Sequence, residues 1–423
     1  MIFEIGSTII MGALGGYAYL KTNGPAANDA DKIQRIFTNS GLIVRENGKT
    51  ETIHLQRKRK FEGGTEYIYQ LPLGLSSKEV IDKRHVLEDG LNVRSKIIDI
   101  NLSDLRAIKF DKTIVQQIQN LFNGKRIKKE IEIEFDGMMK IKVYNSPLIK
   151  DFPWNESFIT KDWKVPVGRS RDKLIFHDFD SNYFMIVAGA AGFGKSQFLK
   201  MVITTLILQQ PENIHFHLID LKGGLSFSRF KKLKQVSNFG KDRKDAITIL
   251  EEVQNIMNHR HEYLEENGFE DVKEANMKDR HFIVIDEAAD LTDECQNIVE
   301  DIARRGRACG LRMLYATQYP TNETLRSQVR QNALARVCFK LKTNIASRAV
   351  LDEGGAEELP EIPGRAIYQT VSNTIVQTPY MSNKKINEWT MRFVREDKDE
   401  KSSSQTTKNR KHTLVLEETE LFD

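Results

Sequence analysis

The stretch "VAGAAGFGKSQF", Val187 to Phe198, constrains this chain more than any other. Gly189 to Ser196 read as a glycine, four residues, then Gly-Lys-Ser. The apolar run "NYFMIVAG" leads into the pattern and "KSQFLKMVITTLILQQ" follows it. The expected local structure is a buried strand, a tight loop and a long helix, the context a phosphate-binding loop requires. Gly189, Gly192 and Gly194 free the backbone of Gly189, Ala190, Ala191, Gly192, Phe193, Gly194, Lys195 and Ser196 to turn N–H groups around phosphate oxygens. The dipole of the following helix adds to that attraction. Lys195 is expected to reach the β- and γ-phosphates of ATP, and the Ser196 hydroxyl to ligate Mg2+.

A second motif completes the chemistry. In "HFIVIDEAAD", a strand from His281 to Ile285 would deliver Asp286 to its C-terminal end, where nucleotides lie in open α/β sheets. Asp286 is expected to hold Mg2+ through water, and Glu287 to polarise the attacking water. "LYATQYP" places Thr317 and Gln318 at the end of another strand. A polar side chain there can contact the γ-phosphate and report its loss; a strand-ending Thr-Gln is also a common turn.

Around these motifs strands alternate with helices, which implies an α/β fold with a mainly parallel sheet. The strands "IHFHLIDL", "LRMLYATQ", "ARVCFKL" and "RAIYQT" and helices over Lys241–Asn267 and Asp293–Ala308 set residues 151–383 as one domain. Residues 33–150 read as a small α+β domain. In it, "SSKEVIDKRHVLEDGLN" carries a Ser cap with Val80, Ile81, His85 and Leu87 at helical spacing. "KKEIEIEFDGMMKIKVYN" alternates around Asp136-Gly137 as a hairpin does. The tail 384–423, charged and Ser/Thr-rich around "DKDEKSSSQTTKNRK", is expected to be disordered.

Hydrophobic residues at 40% and charged residues at 29% describe an ordinary globular chain, and a net charge of +4 announces no nucleic acid. Basic clusters at Arg57–Lys60, Lys125–Lys129 and Lys231–Lys234 fit solvated faces or strand edges. Cys295, Cys309 and Cys338 form neither a metal spacing nor a disulfide framework, which suits a reduced cytoplasmic bulk. Ile5 to Leu20 carries no charge and, with Met1 to Phe3, is long enough for a transmembrane helix. Residues 1–20 are therefore read as a single-pass anchor in the cell membrane. The cations Lys21, Lys32 and Arg35 follow it, which places the body in the cytoplasm. Residues 21–32 read as a linker; a buried helix or hairpin packed on the N-terminal domain is the alternative for the apolar segment.

The ordered motifs "GAAGFGKS", "LIDLKGGLSF", "IDEAADL", "ARRGRACGLRMLYATQYP", "NALARVCFKL", "SRAVLDEGGAEEL" and "PGRAIY" resemble the FtsK/SpoIIIE DNA-translocase ATPases. The likeness covers about Phe184 to Tyr368 and implies a RecA-like motor working as a homo-oligomer, a hexameric ring. It implies Arg307, in "RGRACG", as an arginine finger for a neighbouring subunit, with Arg336, Arg348 and Arg260 as rivals. It puts Lys222 of "DLKGG" near the nucleotide or the pore. No winged-helix module like that of chromosome-handling members fits the residues after Tyr368. The short anchor and small domain look like coupling proteins of conjugative elements. That implies DNA as cargo and a relaxase or secretion-channel protein as partner. The alternatives are a specialised protein-secretion ATPase and a soluble plasmid or phage replication or partition motor.

Overall fold

The computed structural model describes residues 29–46, 49–61, 63–92, 129–321 and 323–395. The chain divides into two compact units, with the division between Leu148 and Ile149.

In the first unit, β1 (Ile43–Glu46) and β2 (Lys49–Thr52) form an antiparallel pair. β3 (His54–Phe61), β4 (Gly64–Gln70), β5 (Glu130–Asp136) and β6 (Met138–Tyr144) form an antiparallel sheet of order β3-β4-β6-β5. β5 and β6 turn at Gly137, whose φ of +68° suits the tight hairpin read from Asp136-Gly137. Ile131, Ile141, Val143 and Tyr69 pack with Ile33, Phe37, Val80 and Leu87 in one core. Ser76 caps the helix Ser77–Asp82 through a full capping box with Glu79. The helix stops at Lys83 and a second one, Arg84–Asn92, follows. That break turns Ile81 and His85 outward, while Val80 and Leu87 reach the core as expected. The basic run Arg57–Lys60 lies on β3, the exposed edge strand.

The expected linker 21–32 overlaps an ordered element, since the helix Asp29–Asn39 begins inside it. Its first residue is buried because Asp29 pairs with Lys129 Nζ at 2.7 Å, both side chains being almost fully covered. Residues 1–28 lie outside the described residues, and with them the expected membrane anchor. Among the described residues no helix is long and apolar enough to cross a membrane.

The second unit is built on a ten-stranded sheet. Its strands are β7 (Lys164–Arg169), β8 (Leu174–Asp178), β9 (Phe184–Ala188), β10 (Ile214–Asp220), β11 (Val236–Gly240), β12 (Arg280–Asp286), β13 (Leu311–Thr317), β14 (Ala335–Phe339), β15 (Arg365–Gln369) and β16 (Asn373–Gln377). The order is β11-β10-β12-β13-β9-β14-β15-β16-β7-β8. The six strands from β11 to β14 run parallel, and the rest are antiparallel.

Strands with helices on both faces must be apolar on both, so they read as unbroken apolar runs. β9 shows the result. Met185 and Val187 join one core with Phe198, Val202 and Leu206 of the helix Lys195–Gln209. Phe184 and Ile186 join the other, with Leu250 and Val253 of the helix Arg243–Asn267 and Val299 and Ile302 of the helix Asp293–Arg305. Full burial of each such side chain is worth about 1.5–3 kcal/mol.

The tail is corrected in part. Within the expected disordered stretch 384–423, the helix Asn383–Thr390 is formed and capped by Ser382. Ile386 is fully buried and the Trp389 ring stands edge-on to Trp154 at 5.9 Å. The apolar residues of this helix sit among two lysines, two asparagines and a glutamate, so average composition concealed them. Residues 396–423 lie outside the described residues.

Candidate nucleotide site

The parallel strands end level with one another, and the functional side chains gather at that edge. Asp220 of β10 is in register with Asp286 of β12, Asp286 with Ala316 of β13, and Thr317 with Ala188 of β9. The loop after β9 is held from both sides. Gly189 N donates to Thr317 O at 3.3 Å and Ala190 N to Lys340 O at 3.0 Å. Gly192 and Gly194 adopt φ of +89° and +113°, a region that L side chains rarely enter, so these two glycines are required by the turn. Ala191 and Gly192 are exposed, and Phe193 is half-buried.

Lys195 opens the helix Lys195–Gln209, and its buried ammonium pairs with Asp286 Oδ1. Ser196 Oγ donates to Asp286 Oδ2 at 3.3 Å. The three residues expected to grip phosphate and metal therefore meet at one point. A hydroxyl beside a buried carboxylate is an oxygen donor set suited to Mg2+, which binds through one or two such groups plus phosphate and water.

Glu287 follows Asp286 with φ of +65°, an uncommon conformation for a non-glycine residue. The turn swings its carboxylate beside β13, where Oε1 accepts from Thr317 Oγ1 at 3.1 Å and from Gln318 N at 3.0 Å. Oε2 is buried with no hydrogen-bond donor aligned on it. Lys222 Nζ stands 2.9 Å from that oxygen as an ion pair. Gln318 thus meets Glu287 through its backbone, and its side chain takes no partner among the described residues.

Lys222 is in this way placed at the nucleotide edge. Its loop turns on Gly223 and Gly224 and hangs from Asp220, which the sequence reading missed. The Asp220 carboxylate accepts from Lys222 N, Ser226 N and Phe227 N at 3.2, 2.7 and 3.3 Å. Burial pushes its carboxyl above the usual range despite these bonds. The available signal was an Asp ending a strand of the same pattern as the one ending at Asp286.

Arg307 is not brought to this site. It lies exposed in the turn before β13, at the opposite end of the sheet, with no carboxylate partner among the described residues. The turn itself is clamped by buried Arg312, which donates to Arg307 O at 3.2 Å and to Asp180 at 2.6 Å. The rivals are engaged locally. Arg260 pairs with Asp279, Arg336 with Asp352, and Arg348 Nε donates to Asn344 Oδ1 at 2.7 Å.

Residues 149–291 match the FtsK/SpoIIIE family. The DNA translocase FtsK of Chlorobaculum tepidum is 29% identical over 254 residues, covering 54% of this chain. This chain spans only 31% of the length of that relative. Among solved structures, the pCW3 conjugation coupling protein TcpA, with ATPγS, superposes with a TM-score of 0.56 at 20% identity. It covers 85% of this chain and 98% of its own. The cytoplasmic domain of the type VII secretion ATPase EccC of Thermomonospora curvata gives 0.50 at 21% identity, over 57% of this chain and 32% of its own. These two likenesses are likenesses of fold.

Proposed function

This chain belongs to the FtsK/SpoIIIE family through residues 149–291, and from that premise we propose that it is an ATP-driven DNA translocase. The observation that carries the reading is the meeting of Lys195, Ser196, Asp286 and Glu287 at one edge of the parallel sheet. In this reading Lys195 exchanges Asp286 for the β- and γ-phosphates, and the loop N–H groups cradle them. Ser196 and Asp286 hold Mg2+, which supplies positive charge to the phosphate oxygens when bound. Glu287 orients the attacking water through Oε2, while Thr317 and Gln318 fix Oε1 and feel its movement. Arg307, facing away from its own phosphate loop, would serve a neighbour's site in a ring.

The finer assignment is a coupling protein that passes plasmid or integrative-element DNA to a conjugation channel at the membrane. The fold likeness to TcpA supports it. Such a motor grips the phosphate backbone without regard to sequence, so its binding falls steeply with salt.

The test is the ATPase rate with and without double- and single-stranded DNA at low salt. Stimulation that disappears in Lys195→Ala is the expected result; a rate indifferent to both DNAs would overturn the reading. Transfer frequency of the host element with Lys195→Ala tests the conjugation role separately, and unchanged transfer removes it. The fold likeness to EccC supports a second reading, protein export. Stimulation by substrate peptide without stimulation by DNA would favour that one.

A further inference from the structure

At the end of the sheet away from the phosphate loop, His215 and His217 of β10 face His281 of β12, with Asp279 just before it. His215 and His281 are register partners. The His281 ring stacks between the other two, with centroids 4.9 Å from His215 and 5.3 Å from His217. One nitrogen of His215, one of His281 and a carboxylate oxygen of Asp279 lie within 4.8 Å of one another.

The hydrogen bonds behind this cluster fix which ring nitrogens carry protons. Asn238 Nδ2 donates to Glu252 Oε2 at 2.8 Å, which turns Asn238 Oδ1 toward His217 Nδ1 at 2.6 Å. His217 Nδ1 must therefore be the donor, leaving its Nε2 as an acceptor. His217 Nε2 lies 2.9 Å from His281 Nδ1, so His281 donates there. The proton of neutral His281 is thus committed to Nδ1, and Nε2 keeps its lone pair. That lone pair faces Asp279 Oδ2 at 3.7 Å with no proton between the two, and Arg260 Nη2 donates to the same oxygen.

We propose that His215, His281 and Asp279 bind a divalent transition metal of the zinc type. Two imidazoles and a carboxylate form a three-ligand zinc set that leaves a position for water. The relay from Glu252 through Asn238 and His217 is the outer support that metal-bound histidines characteristically have. Arg260 supports the carboxylate of Asp279 in the same way. Burial lowers the pKa of His281 and brings that of His217 down to about 3. Zinc ligands stand roughly 3.3–3.6 Å apart around the metal. The donors must then close by about an ångström, which the broad Cβ–Cγ torsion of histidine allows. Arg260 also donates to Cys309 O at 3.1 Å, in the turn that carries Arg307. A metal here would brace β10, β12 and that turn together, whatever the nucleotide site does.

The experiment uses the full chain, stripped with a chelator, offered Zn2+ without nucleotide and dialysed before metal analysis. Co2+ is the spectroscopic probe, its visible ligand-field bands reporting coordination. Retention of about one equivalent is expected, kept in Asp286→Asn and lost in His215→Ala. His215 is only partly buried, so the metal-free melting temperature of that variant should match the parent and exclude misfolding. Asn238→Leu should weaken binding about 10–100-fold by freeing the tautomer. No retained metal in the parent, full retention in His215→Ala, or loss in Asp286→Asn would each overturn the site.

Discussion

Lys222 Nζ lies 2.9 Å from Glu287 Oε2, joining the loop after β10 to the carboxylate after β12. Because Thr317 Oγ1 and Gln318 N occupy Oε1, Oε2 is the oxygen left to meet water, and an ammonium group covers it. In the proposed reaction the Lys222 loop would therefore keep water from that oxygen and work against hydrolysis until it moves. Lys222→Met should raise the DNA-independent ATPase rate about 3–10-fold, equivalent to about 0.7–1.4 kcal/mol off the barrier. The ratio of DNA-stimulated to basal rate should shrink accordingly. A basal rate that falls as far as in Glu287→Gln would mean that Lys222 assists the reaction instead.

Glu287→Gln and Lys195→Ala should fail in different ways. Gln keeps an oxygen for Thr317 and Gln318 but cannot act as a base, so hydrolysis should drop about 10²–10⁴-fold with ATP still bound. Lys195→Ala removes the proposed phosphate contact and leaves Asp286 without its buried ion-pair partner. It should lose nucleotide affinity as well as turnover. Titration with a fluorescent ATP analogue separates the two; equal loss of binding in both variants would deny Glu287 its role.

Arg307 offers a prediction about assembly. Its turn is pinned from inside by Arg312 and Arg260, yet its own guanidinium is exposed far from the chain's phosphate loop. Arg307→Ala should bind ATP normally and lose about 10³-fold or more in turnover. Mixing it with Lys195→Ala chains should restore a fraction of the activity, because some interfaces then pair an intact Arg307 with an intact Lys195. Mixtures no more active than the separate variants would remove the trans role. Losses of similar size in Arg336→Ala would instead indicate general damage, since that residue is tied to Asp352.

The phosphate loop, Asp286 and Glu287 were legible because each is a contiguous motif on a strand whose apolar run announces burial. Asp220 was not, and Lys222 was set near the nucleotide or the pore by resemblance alone, as their relation to Glu287 exists only through the pairing of β10 with β12. Sequence spacing holds no trace of that order. β7, β8 and β16 escaped for a related reason. They are short antiparallel additions at one edge, and β16 meets β7 through the single register pair Gln377 and Arg169. The histidine cluster also depends on strand register, and its residues read singly as core or surface positions.

The helix Asn383–Thr390 tests how far the folded unit extends beyond the antiparallel edge. Ile386 is fully buried in the core that holds Phe198 and Val202. Trp154, against which Trp389 stands, donates from Nε1 to Thr205 Oγ1 at 3.0 Å inside the helix of the phosphate loop. Lys200 of that same helix reaches Asn383 Oδ1 at 3.0 Å. The helix Asn383–Thr390 therefore supports the back of the element that begins at Lys195. Ile386→Ala should cost about 2–5 kcal/mol from lost burial and the cavity left behind, measured by urea unfolding. Stopping the chain after Ser382 should lower the melting temperature further and weaken ATP binding along with it. A truncated chain that melts like the parent would show that the contacts of Ile386 and Trp389 contribute nothing to the stability of the second unit.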